Sequence, residues 1–294
     1  MKHLLKRGCL VLCAVATFGC AQNYYNIPRE TYQKKVRVLG VAPILVDESS
    51  DIKHPEKDAL ITLIKESNRK NEKDLVSKLK DTGSYFSVGL LAEDPDQLFS
   101  RLFFRRERRD DAGIIYNKYF YKLPELKELI VKNTIDAVMM VVVSGLTRPE
   151  KVYSSNYLAF LQSDYNYLII SAQILDAEGN ILWEYPNFRK RSLSFPPLTA
   201  LQYPDFDEAD ANLNDQVDIK FKTIPGLTRT FNKTDSSLLK KDTKISSIYS
   251  GAFDEMVTLL TTKQFPWSDN SPEKKDVPKK DQSEKDSASR SPLK

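Results

Sequence analysis

Apolar runs alternate with segments of helical periodicity along this chain. A β-branched apolar run covers residues 36–46 and ends in the polar residues 47–50, and a second run covers residues 136–145. Runs of this kind are typical of strands that are buried on both faces of a sheet. A shorter run at 85–91 predicts a further strand between them.

The segments between these runs repeat their apolar residues at helical spacing. Such residues are Ala59, Leu60, Leu63 and Ile64, then Leu75, Val76 and Leu79, then Leu126, Leu129 and Ile130. Asp94 is an acidic N-cap candidate, Pro95 follows at the first helical position, and Gln97 lies three residues after the cap. This arrangement predicts a helix start. The apolar face of that helix comprises Leu98, Phe99, Leu102 and Phe103.

A hairpin is predicted from the β-rich runs 165–175 and 181–185, which flank a turn containing Gly179 and Asn180. Strands that alternate with helices and then form a hairpin predict an α/β fold. We expect a mixed sheet in which parallel β-α-β units are followed by an antiparallel hairpin, with helices packed on the sheet.

Residues 217–231 predict a second, amphipathic hairpin. Ile219 and Phe221 alternate with charged residues, Pro225 suits a turn, and residues 227–231 supply the second arm. The hairpin either packs on the domain surface or inserts into a bilayer as part of an oligomeric pore. A membrane-spanning strand needs about 9 to 11 residues. Because each arm is shorter than that, the surface hairpin is favoured.

The N-terminal segment has the layout of a secretory signal peptide. A basic start is followed by an apolar run at 8–19, which is too short to span a bilayer as a helix. Together with Gly19 and Cys20, this segment resembles a bacterial lipoprotein signal, although Thr17 stands where that family usually has Leu. The alternative is an ordinary cleaved signal in which Cys20 is incidental.

The lipoprotein resemblance implies a lipid anchor and a location in the cell. In that family the chain is cut before the cysteine, which then carries the lipid, so Cys20 would anchor the protein to a membrane. Ala21 follows rather than the Asp that marks inner-membrane retention in enteric lipoproteins. The resemblance therefore implies the outer membrane, with the domain facing the periplasm.

Composition limits the partners and the kinds of site that the protein can have. The signal holds three of the 44 basic residues together with Cys9 and Cys13, so the mature chain has 41 basic against 40 acidic residues and one cysteine. A nearly neutral chain lacks the basic field of a nucleic-acid-binding protein. A single cysteine allows no intramolecular disulfide and no cysteine-based metal cluster.

Changes in composition also divide the chain. Residues 268–294 contain no aromatic residue and are dominated by Lys, Asp, Glu, Ser and Pro, which predicts a disordered tail. The predicted organisation is a signal peptide (1–19), a lipidated tether (20–34), an α/β domain (35–267, with a C-terminal extension at 188–267) and the charged tail (268–294).

The sequence offers few candidates for catalysis or for metal and cofactor binding. His54 is the only histidine after the signal and lies before Pro55 in a polar segment, so a solvated loop histidine is favoured over a catalytic one. Carboxylates at 205–218 could bind a hard cation such as Ca²⁺. Their spacing lacks the glycine of a Ca²⁺-binding loop, which favours a solvated acidic loop. No catalytic residue, metal ligand or cofactor is predicted.

A local basic patch is the strongest candidate binding site. It comprises Arg101, Arg105, Arg106, Arg108 and Arg109. Such a patch could bind lipid phosphates, an anionic glycan or an acidic protein partner. The alternative is a solvated helix face opposite Leu98, Phe99 and Leu102.

Three segments suggest a family. They are Gly-Ser-Tyr-Phe-Ser-Val at 83–88, Thr-Ile-Asp-Ala-Val at 134–138 and Leu-Asp-Ala-Glu-Gly-Asn-Ile-Leu-Trp-Glu at 175–184. With the order of elements around them, residues 35–187 resemble a group of periplasmic lipoprotein domains. This group includes the curli-secretion pore CsgG, the penicillin-binding-protein activator LpoB and the N-terminal domain of TolB. Its members are envelope scaffolds, regulators of wall synthesis or secretion pores, and no catalytic residue carries over.

The resemblance therefore implies a binding or scaffold protein, an accessory subunit of a cell-envelope assembly, rather than an enzyme. The alternative is a subunit of an oligomeric secretion or export pore. Expected partners are the membrane, through the N-terminal lipid, and an envelope protein. Nucleic acid is not expected as a partner. An oligomer is compatible with both the scaffold function and the pore function.

Lipidation at Cys20 can be tested directly. Metabolic labelling of cells with a fatty-acid analogue should mark the wild-type protein and leave Cys20→Ser unlabelled, because the thiol is the acceptor. Equal labelling of both proteins would contradict the lipoprotein interpretation.

Overall fold

A computed structural model describes residues 25–111, 113–186, 195–234 and 245–261. The predicted signal peptide, Cys20 and the charged tail at 268–294 lie outside the described residues. The helices are α1 (Arg29–Lys35), α2 (Lys57–Asp81), α3 (Pro95–Leu102), α4 (Leu123–Lys132), α5 (Phe206–Ala211), α6 (Ile224–Asn232) and α7 (Ser247–Thr261). The strands are β1 (Val38–Val41), β2 (Leu45–Asp47), β3 (Ser87–Leu90), β4 (Phe103–Asp111), β5 (Ile114–Tyr121), β6 (Ala137–Tyr153), β7 (Phe160–Asp176), β8 (Ile181–Tyr185), β9 (Thr199–Ala200), β10 (Gln202–Pro204) and β11 (Ile219–Phe221).

The predicted α/β fold with a mixed sheet is confirmed. The main sheet has the order β3-β1-β6-β7-β8, with β2 added to β6 and β9 added to β7. Strand β1 runs parallel to both β3 and β6, and β2 also runs parallel to β6. The remaining pairs, β6–β7, β7–β8 and β7–β9, are antiparallel. Parallel β-α-β units thus precede the antiparallel part, as predicted.

The longest pairing in the sheet joins β6 to β7. Each strand has 17 residues, and the ladder runs without a register shift from Ala137 opposite Asp176 to Tyr153 opposite Phe160. The sequence predicted only the inner half of each strand, because apolar residues are continuous there. The outer half has mixed polarity, so the single-sequence pattern gives no strand signal.

Each face of the sheet is covered by different elements, which gives three layers. Alternate residues of a strand point to opposite faces. Met139 and Val141 belong to a core with apolar residues of α1, α2, α6 and α7, whereas Met140 and Val142 belong to a core with residues of α3, α4 and β5. This arrangement explains why the run at 136–145 is apolar at successive positions.

Helix α2 joins two apolar groups that the sequence places on either side of a polar stretch. Within that stretch, Asn68 and Asn71 are buried. The Nδ2 of Asn68 donates to the carbonyl oxygen of Ile44 at 3.2 Å, and its Oδ1 accepts from the hydroxyl of Tyr249 at 2.6 Å. The Oδ1 of Asn71 accepts from the backbone N–H of Ser246 at 3.0 Å. These bonds satisfy the buried amides, so the helix continues through the polar stretch.

The first apolar run forms two short strands rather than one. Strand β1 ends at Val41, and β2 begins at Leu45 after Pro43. Proline has no N–H to donate to a ladder, which interrupts a central strand. After this break the chain moves outward along β6, where β2 pairs with residues 142–144.

The hairpin predicted at 217–231 is wrong in its second arm. Residues 219–221 form β11, which pairs with β10, but the next segment is helix α6. The hydroxyl of Thr223 accepts from the N–H of Gly226 at 3.3 Å, and Pro225 lies in the first turn. Leu227 and Phe231, four residues apart, are both buried. Capping and helical spacing therefore outweigh the turn signal of Pro-Gly.

Residues 25–34, assigned to a tether in the sequence analysis, pack on the domain from Tyr25 onward. Tyr25 forms a β-bridge with Trp183, and the N–H of Asn26 donates to the carbonyl oxygen of Leu182 at 2.9 Å. Tyr32 in α1 is buried in the core. This N-terminal segment therefore covers the edge strand β8 and closes that side of the sheet.

None of the helices in the described ranges has both the length and the apolar character that a membrane span requires.

A glycine in β6 provides a test of this packing. A methyl group at Gly145 would overlap the backbone of Asp51 and Ile52, whereas one at Gly251, in α7, would meet nothing within 4 Å. We expect Gly145→Ala to lower the free energy of unfolding by about 2 kcal/mol or more, because backbone cannot move aside as a side chain can.

Gly251→Ala is the matched control. In a helix interior, Ala is favoured over Gly by about 0.5 to 1 kcal/mol, so this variant should gain stability. Urea unfolding of both variants measures the difference. Equal midpoints for the two would contradict the close approach of β6 to residues 51–52.

Candidate binding surfaces

The predicted basic patch lies mostly on a strand, not on a helix. Helix α3 ends at Leu102, and the chain continues as β4, which pairs with β5 in a separate two-stranded hairpin. Of the five arginines, Arg101 lies in α3 and the other four lie in β4. Because neighbouring residues of a strand point to opposite sides, these four arginines are divided between the two faces of the hairpin. The interpretation as a solvated helix face is therefore wrong for them.

Arg106 is part of a buried polar cluster around Asp47. Asp47 is the last residue of β2 and its side chain is fully buried. Its carboxylate pairs with the guanidinium of Arg106 and accepts from the hydroxyls of Ser49, at 2.6 Å, and Tyr119, at 3.0 Å. Burial, and secondarily the charge of Asp47, raises the pKa of Tyr119 well above its usual value. Tyr119 therefore stays a neutral donor, and the cluster fixes the β4–β5 hairpin to the sheet.

The other arginines also bind within the chain. Arg105 lies 4.5 Å from the ring centre of Phe120, and Glu107 forms ion pairs with both Arg105 and Arg109. Arg108 donates to the carbonyl oxygen of Thr147 at 2.8 Å. Arg101 lies 3.6 Å from a carboxylate oxygen of Glu93. The patch is thus locally compensated rather than a continuous cationic surface.

His54 has a structural environment. Its Nδ1 accepts from the N–H of Glu56 at 3.0 Å, so its Nε2 carries the proton and donates to the carbonyl oxygen of Lys222 at 2.9 Å. The ring also packs edge-on against Phe221, with centroids 5.5 Å apart. Rather than being a solvated loop residue, His54 is half-buried and attaches β11 to the loop before α2.

The acidic segment at 205–218 is organised around Lys220 and a helix start. The carboxylate of Asp205 caps α5 by accepting from the N–H of Glu208 at 3.1 Å. Lys220 forms ion pairs with both Asp205 and Glu208. Among the described residues, no group of three or more His, Cys, Asp or Glu side chains is arranged to hold a metal ion.

A cleft of about 470 Å³ lies at the carboxyl ends of β1 and β3. It is lined by residues 43, 44 and 46, by residues 90–96, and by Lys65, Arg69, Glu72 and Lys73 of α2. Crevices at the carboxyl ends of parallel strands are common ligand sites in α/β folds. Burial raises the pKa of Glu72, while its charged neighbours Arg69 and Lys73 oppose that rise. The cleft therefore has a polar, mixed-charge wall.

The outer halves of β6 and β7 form a protruding ribbon, residues 147–153 paired with residues 160–166. In the part of the chain that the structure describes, no other strand pairs with this ribbon. The ribbon tip carries four large exposed side chains. They are Tyr153, Tyr157, Leu158 and Phe160. Tyr157 and Leu158 are 79% and 87% exposed.

The ribbon tip is locally ordered. The N–H of Ser154 donates to the carbonyl oxygen of Ala159 at 2.9 Å, and the Oδ1 of Asn156 accepts from the N–H of Leu158, also at 2.9 Å. The Nζ of Lys151 lies 3.6 Å from the ring centre of Phe160. This surface was not predicted from the sequence. The Ser-Ser-Asn segment at 154–156 is typical of a turn, but the segments on either side have mixed polarity without alternation and give no hairpin signal.

Comparison of the chain with protein-family models and with curated proteins finds no match. The resemblance to envelope lipoprotein domains stays a prediction.

The cluster around Asp47 can be tested by substitution. Asp47→Asn leaves the partly buried guanidinium of Arg106 without its counter-charge, and we expect a loss of about 2 to 3 kcal/mol in the free energy of unfolding. Glu107→Gln in the same hairpin is the control. Its ion pairs are more exposed, so a loss of about 1 kcal/mol or less is expected.

Thermal and urea unfolding measure the free energy of unfolding of each variant. The double variant Asp47→Asn, Arg106→Met should lose less of this free energy than Asp47→Asn and Arg106→Met lose when made separately and added, because it removes both partners of one interaction. Equal losses for Asp47→Asn and Glu107→Gln would show that the cluster does not fix the hairpin.

Proposed function

We propose that this protein is a lipid-anchored, periplasm-facing binding or scaffold protein of the outer membrane, an accessory subunit of a cell-envelope assembly. The N-terminal lipoprotein-type signal with Cys20 supports the lipid anchor and the location at the outer membrane. The ribbon tip is the observation that carries the binding role. It presents aromatic side chains to solvent at the end of a hydrogen-bonded two-stranded arm.

Scattered exposed apolar residues are normal on protein surfaces, but a cluster of them marks an interaction site. In the ribbon tip, the ring of Tyr153 lies near those of Tyr157 and Phe160 in tilted arrangements, with centroids 6.1 Å and 5.8 Å apart. Tyrosine and phenylalanine supply a large contact area at small cost in conformational entropy. The tip is therefore suited to insert into a pocket on a protein partner.

Binding is favoured over catalysis because His54, the histidine considered from the sequence, and Asp47, the buried carboxylate found in the structure, both have structural partners. His54 uses both ring nitrogens in hydrogen bonds to the backbone. Asp47 is saturated by Arg106, Tyr119 and Ser49. Catalytic groups can hydrogen-bond one another, but at least one of them must also present a free atom to substrate.

The pore alternative loses the element on which it rested. Residues 224–232 are a helix, so no hairpin exists at 217–231. The ribbon of β6 and β7 has seven residue pairs, from Thr147–Asn166 to Tyr153–Phe160. A spanning strand needs about 9 to 11 residues and an apolar face. One face of the ribbon carries Lys151 and Asp164 and the other carries Arg148 and Glu150. Because neither face is apolar, the scaffold role is preferred over the pore.

The binding role can be tested by crosslinking in intact cells. A photo-crosslinking amino acid in place of Tyr157 should capture an identified envelope protein, whereas the same substitution at Leu213, which is at least as exposed, should not. In a second arm, Leu158→Ser with Phe160→Ser should reduce recovery of that partner at least about fivefold.

The matched control for the second arm is Leu213→Ser with Phe104→Ser, which removes exposed apolar area elsewhere. Circular dichroism should find all variants folded, because the changed side chains are exposed. If the same proteins are captured from Tyr157 and from Leu213, the ribbon tip is not a specific contact surface.

A further inference from the structure

The two edges of the main sheet differ in how they are protected. At the β8 edge, Tyr25 and Asn26 pair with the strand. At the opposite edge, β3 pairs with β1 and with no other strand in the described ranges. An unpaired edge is a template for strand addition, and proteins usually protect such edges with lysine, proline or a covering segment. Strand β3 reads Ser-Val-Gly-Leu and has neither residue.

The hydrogen-bonding pattern identifies which backbone groups are available. The N–H groups of Ser87 and Leu91 donate to the carbonyl oxygens of Arg37 and Val41. In a parallel pair, alternate residues of a strand bond to a given neighbour. The backbone N–H and C=O groups of Val88 and Leu90 therefore point outward, away from β1, in the geometry that an incoming strand requires.

An exposed aromatic side chain lies at the start of this edge. Phe86 is 81% exposed, whereas the adjacent Tyr85 is held inward by a 2.8 Å hydrogen bond between its hydroxyl and that of Tyr32. Within β3, Gly89 has no heavy atom within 4 Å of where a Cβ would lie. An incoming backbone could approach Gly89 closely, and Phe86 could pack on one of its side chains.

The edge leads into the cleft at the carboxyl end of β3, whose lining includes Leu90, Arg69 and Lys73. Several charges of the cleft are already engaged. Lys65 binds Glu48 and Asp96, at 2.6 Å and 2.9 Å. Asp94 caps α3, and Glu93 binds Lys132 at 2.9 Å.

Arg69 and Lys73 are exposed at the cleft, one helical turn apart, with Glu72 as their charged neighbour. No ion pair with a carboxylate in the described ranges is formed by Arg69 or Lys73 within 4.0 Å, so both can accept an external anion.

We propose that the open edge of β3 and the adjoining cleft bind an extended, acidic segment of a partner protein by strand addition. The segment pairs with the outward backbone groups of Val88 and Leu90, contacts Phe86 at one end, and places a carboxylate between Arg69 and Lys73 at the other. This surface is separate from the ribbon tip, so its test is independent of the function proposed above.

The experiment measures binding of labelled synthetic peptides to the full chain, purified in a mild detergent, by fluorescence anisotropy. The probe is an octapeptide of alternating Val and Thr with Glu pairs at both ends. One control peptide has alternate backbone amides methylated, and another has Lys in place of Glu. We expect both controls to bind at least about tenfold more weakly, because they lose strand pairing and charge complementarity, respectively.

Variants of the protein locate the site. Arg69→Glu with Lys73→Glu should weaken binding about tenfold, and Phe86→Ser about fivefold. Lys127→Glu, an exposed change on α4, and Leu213→Ser are the matched controls and should have no effect. Leu158→Ser with Phe160→Ser should also keep peptide binding, which separates this site from the ribbon tip.

Two outcomes would overturn the proposal. In the first, the acidic peptide does not bind, or it binds with an affinity that neither backbone methylation nor the Arg69 and Lys73 substitutions change. The other is a dimer in analytical ultracentrifugation that Phe86→Ser dissociates and the peptide does not displace, which would assign the edge to a second copy of this chain.

Discussion

The hydrogen-bonded ladder between β6 and β7 is the interaction on which the rest of the fold depends. Its inner half is buried on both faces and provides both edges to which the other strands attach: β1 and β2 on β6, and β8 and β9 on β7. Its outer half continues in the same register without those neighbours. One pairing therefore both organises the core and extends the ribbon into solvent, and the ribbon keeps the register that is fixed inside the domain.

The buried carboxylate of Asp47 is the second constraint. A charge at the end of β2 needs compensation, and the β4–β5 hairpin supplies it through Arg106 and Tyr119. This requirement places the hairpin over one end of the sheet and directs Arg106 inward. Glu107 compensates two further arginines of this segment, Arg105 and Arg109. The arginine-rich segment therefore has a structural role within the domain.

Two surfaces that the described residues offer for contact with other molecules lie on the same sheet. The ribbon tip offers apolar and aromatic area at the end of an arm. The β3 edge offers unpaired backbone groups beside two cations, Arg69 and Lys73. The tip has its own loop hydrogen bonds and β3 is paired with β1, so neither surface needs to be ordered on binding. This preorganisation suits the proposed role of a scaffold tethered at a membrane.

The sequence by itself determined the α/β class, the two apolar segments that form the centre of the sheet, the start of α3 at Asp94 and the hairpin turn at Gly179, because these depend on local periodicity, capping and turn chemistry. Tertiary structure decided the features that depend on distant partners. The arginines after Leu102 lie in a strand because β5 pairs with them, and α6 replaces the second arm of a predicted hairpin because Leu227 and Phe231 are buried in the core. The ribbon and the open edge of β3 could not be predicted from the sequence for the same reason: pairing and exposure are relations between segments, and a linear pattern records only one segment at a time.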